Sequence, residues 1–91
     1  MIKNGKLIAL MQDYDETMSD LPVDPKSRYD GGTLLEHCRW LCQNITEICS
    51  SLPTDEKISS SVSLKLGFVQ GIMSYANVFT IEQLEAHITN E

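Results

Sequence analysis

Ninety-one residues suffice for one domain spanning 1–91, because a core this small does not divide into two self-sufficient ones. Hydrophobic residues make up 42% of the chain, which marks it as globular. Thirteen acids against seven scattered bases leave a net charge of -6, so free nucleic acid is a poor partner, and no apolar run approaches the ~20 residues that span a bilayer.

The opening Met1-Ile2-Lys3-Asn4-Gly5-Lys6 carries two lysines, but Asp13 arrives before any continuous apolar core, so it does not read as a secretory signal. A first helix is expected from about Asn4 to Ser19, with Leu7, Met11, Tyr14, Met18 and Leu21 forming a heptad-like seam. Asp13, Asp15 and Glu16 diverge around it and read as a solvated face. Residues 21–32 hold two prolines and a Gly-Gly pair, a loop long enough to cover or bind something. The second helix is expected to open at a Thr33/Glu36 capping box and to stop before Pro53. Its seam is Leu34, Cys38, Leu41, Ile45, Ile48 and Leu52.

A short Pro-Thr-Asp turn leads to a third helix predicted over 55–76, capped by Thr54 or Asp55. Ile58, Val62, Leu66, Val69, Met73 and Ala76 form one stripe on it; Leu64, Phe68, Ile72, Tyr75 and Phe79 form another. Together they make an apolar arc of roughly 220°, more than a surface helix needs, which predicts cover on two sides. The Ser59-Ser60-Ser61 run is a poor helix former that loosens its first turns. Thr80 and Gln83 repeat the capping-box spacing ahead of a short last helix edged by Ile81, Leu84 and Ile88. The expected architecture is all-α: an antiparallel three-helix bundle with a short fourth C-terminal helix.

Cys38, Cys42 and Cys49 fall on one side of one helix, where disulfide geometry is unfavourable, and they read as small apolar side chains in a reducing compartment. His37 points away from Cys38, so no zinc set forms, and no other metal or cofactor is expected. His37 and His87 stand apart, and no phosphate loop or nucleophile pair is evident, so the chain does not read as an enzyme. Trp40 lies off the second helix's seam among polar neighbours, as an interface anchor would unless the 21–32 loop covers it through Val23 or Tyr29. Gly67 and Gly71 lay bare a backbone strip that calls for close helix packing, inside the chain or against another.

Two blocks carry a resemblance. Leu34 to Ile45 resembles an hLLWMC-x-x-I segment, and Ser63 to Met73 followed by Phe79 to Leu84 resembles RWLGFVQGvL … ytIdEL. In that order they are similar to small accessory proteins of tailed bacteriophages, over about half the chain. The chain departs from the pattern ahead of Leu66-Gly67, where it lacks the Arg-Trp pair. The resemblance implies a phage origin and the host cytoplasm, and supplies no catalytic residue.

The function expected from these features is stoichiometric binding to a host protein, modulating a host enzyme or a defence system. Arg39, Trp40, Gln70, Ser74 and Phe79 are the expected contact residues. Two alternatives stand beside it: a homo-oligomer whose interhelical pockets sequester a nucleotide signal, and a structural subunit of a phage assembly.

Overall fold

The computed structural model describes residues 2–25 and 31–89; the side chains of 31–33 are not among those described. Among the described residues four helices follow in chain order: α1 (Asn4–Thr17), α2 (Gly31–Ser50), α3 (Ser60–Tyr75) and α4 (Ile81–Thr89). The chain is all-helical as expected, with α2 packed between α1 and α3 and α4 resting on α3. Cross-links between helices give the directions. Cys38 pairs with Val69 while Asn44 pairs with Lys65, and Arg39 reaches Ser19 while Gln43 reaches Asp15, so each neighbour of α2 runs antiparallel to it.

The helix covered on two sides is α2, whereas the sequence pointed to the third. α2 buries Cys38, Leu41, Cys42, Ile45 and Cys49, while Ile48 is only half-buried and Leu52 is exposed. A single seam therefore does not describe α2: two neighbours claim adjoining stripes, and the thiols fill the space between them. α1 contributes the predicted Leu7, Met11, Tyr14 and Met18 to the same core, and α3 contributes Val62, Leu66, Val69 and Met73.

The ends of the helices depend on how their free amides are satisfied. α1 follows Lys3, which offers no side-chain cap. Its first amides are bonded from far away in sequence: Asn4 N–H donates to the Glu56 carbonyl and Gly5 N–H to the Thr54 carbonyl, both at 2.9 Å. Asn4 Nδ2 adds a bond to the Pro53 carbonyl at 3.0 Å, and Ile58 N–H returns one to Ile2 at 3.2 Å. Residues 51–59 thus form a clasp, built on a turn at Pro53–Glu56, over the start of α1, and this segment cannot also be the first turns of α3. That is why α3 begins at Ser60 and not near Asp55, with Ser59 as its cap, accepting from Val62 N–H at 3.2 Å. The serine run expected to loosen the helix instead starts it. Thr54 and Asp55 cap nothing in α3.

α2 begins at Gly31, so the Gly-Gly pair lies in its first turn and not in the preceding loop; the expected Thr33 cap lies outside the described side chains. α3 ends on Asn77, whose φ of 60° is left-handed. Val78 N–H reaches the Met73 carbonyl at 2.9 Å and Asn77 N–H the Ser74 carbonyl at 3.1 Å, the paired bonds that close a helix on a left-handed residue. The Thr80/Gln83 box forms as predicted: Gln83 Oε1 accepts from Thr80 N–H at 2.9 Å, and Thr80 Oγ1 from Gln83 N–H at 3.2 Å.

These caps are separable by mutation. Ser59→Ala is expected to cost about 1 kcal/mol of unfolding free energy. Asp55→Ala, at the position the sequence favoured, should change stability by less than about 0.5 kcal/mol; urea titration followed by circular dichroism reads both.

Candidate protein-interaction surface

α3 buries one side and leaves the other uncovered. Leu64, Phe68 and Tyr75 are 66%, 60% and 77% exposed, while Ile72 and Phe79 of the same predicted stripe are half-buried against the core. Between Ser60 and Tyr75 the sequence carries no Asp or Glu, and the lone Lys65 turns aside to donate to Asn44 Oδ1 at 2.9 Å. Gly67 and Gly71 lie exposed on this outer side, and a methyl group placed on either would meet nothing within 4 Å. Close helix packing at these glycines inside the chain is thus not what the fold contains: α2 lies on the opposite side of α3, and α4 borders a groove beside Gly71 without reaching a methyl placed there. The tight glycine is Gly5, where an added Cβ would stand 3.1 Å from Thr54 Cβ. Nothing in the local sequence marked it, because the approaching Thr54 belongs to the turn that follows α2.

Most of the predicted contact residues prove to be committed within the chain. Arg39 Nε donates to Asp15 Oδ1 at 2.8 Å, and its Nη1 donates to the carbonyls of Ser19, at 3.3 Å, and Leu21. The guanidinium thereby ties the end of α1 to α2, and Asp15 is part of that tie and not of a solvated face. Gln70 Nε2 donates to Tyr14 Oη and to the Leu84 carbonyl, each at 3.3 Å. Phe79 packs on Tyr14 and edge-on to His87, with ring centroids 5.7 and 4.9 Å away. Ser74 is half-buried along a groove shared with Gly71, Ile81 and Leu84.

Trp40 is half-buried and stacks on His37, with centroids 5.6 Å apart and rings 13° from parallel. His37 Nδ1 donates to the Asp24 carbonyl at 3.0 Å, and Asp24 N–H donates to the Glu36 carbonyl at 3.3 Å. The segment after α1 is thereby laced to α2 beside the indole. Val23 remains exposed, and Tyr29 lies outside the described residues.

A polar cluster that no local pattern signals lies beneath α4. Tyr14 Oη and His87 Nδ1 share a hydrogen bond of 2.7 Å, and Gln70 joins them. Burial pushes the Tyr14 phenol above its ordinary value, partly opposed by the Gln70 bond. A phenol held neutral under a helix pins that helix. Tyr14 was legible as a core position, whereas its pairing with a residue 73 positions later was not.

The three cysteines are free and buried. Cys42 is pushed up by its hydrogen bond with Cys38 and then by burial; Cys49 is pushed up by burial. Raised values keep both as thiols, the poorly nucleophilic form. Among the described residues, no group of three or more His, Cys, Asp or Glu side chains could hold a metal ion, and no helix is long and apolar enough to cross a membrane. Comparison of the chain with protein-family models, curated proteins and solved structures returned no match.

Two expectations follow. Gly67→Ala should raise stability by about 0.5–1 kcal/mol in thermal or urea unfolding, since the methyl enters open space and glycine is a poor helix former. The second concerns alkaline pH. Tyr14, Cys42 and Cys49 titrate above their ordinary 10.0, 9.0 and 9.0 when folded, so the unfolded chain releases these protons first. Their contribution is complete below about pH 9 and declines as pH rises towards the folded values. The urea midpoint should fall from about pH 9 upward, and Cys42→Ala, though weaker at neutral pH, should show a shallower decline.

Proposed function

We propose that the chain is a small accessory protein of bacteriophage kind that acts without catalysis, binding a host protein one to one in the host cytoplasm and altering what that protein does. The observation that carries this reading is the outer side of α3. A chain with a working core leaves Leu64, Phe68 and Tyr75 in water on one uncharged helical face. Such a continuous apolar face, with aromatic anchors and depleted of charge, is the composition of the centre of a protein interface. The net charge of -6, none of it from acids between Ser60 and Tyr75, favours a basic or neutral partner. The blocks resembling phage accessory proteins, which include Leu66 to Gly71 on this helix, support a phage origin.

Affinity capture from host lysate, with stoichiometry read by quantitative mass spectrometry, tests the reading. One host protein should be retained in roughly equimolar amount, and Phe68→Glu should lower its retention at least about tenfold while leaving the helical signal unchanged. Retention of no host protein at that level, or retention untouched by Phe68→Glu, would overturn it.

A further inference from the structure

We infer that the first occupant of the outer face of α3 is a second copy of the same helix, paired antiparallel across a two-fold axis. The inference rests on the reading that this face is a protein interface, and it names what sits there before any other partner.

The face is complementary to itself. At about 100° per residue, Ser60, Leu64, Gly67, Phe68, Gly71 and Tyr75 lie within an arc of roughly 100°. That arc is centred opposite the buried Val62, Leu66, Val69 and Met73. Along it, large and small residues are placed so that one antiparallel register matches each large residue with a small one. Leu64 faces the partner's Gly71, Phe68 faces the partner's Gly67, and Tyr75 faces the partner's Ser60. The residue numbers in the three pairs share one sum, which is what a two-fold axis between antiparallel helices requires. The open space over both glycines is the room this register needs. A parallel pairing would set Phe68 on Phe68 and leave the glycines empty.

Charge agrees with the same arrangement. No carboxylate lies on α3 between Ser60 and Tyr75, so the two helices of chains of net charge -6 meet without acid of their own, with Glu85 of α4 at the edge of the contact beside Gly71. Antiparallel helices also bring the positive amino end of one dipole beside the negative carboxyl end of the other. Size sets the strength. Sixteen residues make a helix about 24 Å long, and one such face covers less than the ~800 Å² per partner of a stable complex. The dimer is therefore weak and dissociable, which leaves the face open to a host protein that competes for it.

Sedimentation equilibrium from about 10 μM to about 1 mM tests this. The mass should rise with concentration from 10.2 kDa towards twice that value. Gly71→Leu places its Cβ in open space and its longer arm beside the α4 groove, with circular dichroism to confirm that the helical fold is kept, and it collides with the partner's Leu64; association should fall at least about tenfold. Leu64→Ala combined with Gly71→Leu exchanges large for small within one pair and should restore association. A chain that stays monomeric to about 1 mM overturns the inference, as does association indifferent to Gly71→Leu or a double variant that fails to recover. A monomer whose capture of a host protein still depends on Phe68 would overturn only the self-pairing. A register-dependent dimer that captures no host protein would overturn only the host reading.

Discussion

The arrangement depends on how closely two helices can approach α2 at once. Cys38, Cys42 and Cys49, all fully buried, present little more volume than alanine along the side where α1 and α3 converge. Cys38 goes further and directs its S–H to the Val69 carbonyl at 3.6 Å, a contact a bulkier side chain would forbid. With α2 enclosed in this way, Val62, Leu66, Val69 and Met73 bury fully against the core, and α3 is held by that side alone. The uncovered outer face is thus a result of geometry: α1 and α3 enclose α2, α4 lies against α3, and among the described residues no element is left for the far side of α3.

The ends of the bundle are joined by polar contacts. At one end the 51–59 clasp supplies carbonyls to the start of α1. At the other, Arg39 gathers the last turn of α1 and the chain beyond it, while Tyr14, Gln70 and His87 fasten α4. Each of these groups would cost free energy if buried without its partner, so each fixes position more than it adds attraction.

What the sequence conveyed was what lies close along the chain. The α1 seam was readable because one neighbour buries one stripe, and the Thr80/Gln83 box because both members sit within a turn. The third helix misled because apolar periodicity reports a surface to be covered and not whether this chain covers it. Leu64 and Phe68 obey the same spacing as Val62 and Leu66, yet face water. The start of α3 was misplaced because Thr54 and Asp55 are good caps locally, whereas their segment is held in a non-helical turn by the distant amides of Asn4 and Gly5. Arg39 and Gln70, polar on predicted helices, looked available for the same reason: their acceptors lie on other elements.

The clasp has one more consequence. The carbonyls that complete the first turn of α1 come from residues about fifty positions downstream, beyond the whole of α2. Until α2 has docked, that turn has four amides facing water and a buried asparagine without its acceptor, and local helix propensity alone does not hold it. The start of α1, synthesised before α2, therefore settles only after α2 is in place, and at this point the order in which shape is acquired runs counter to the order of synthesis.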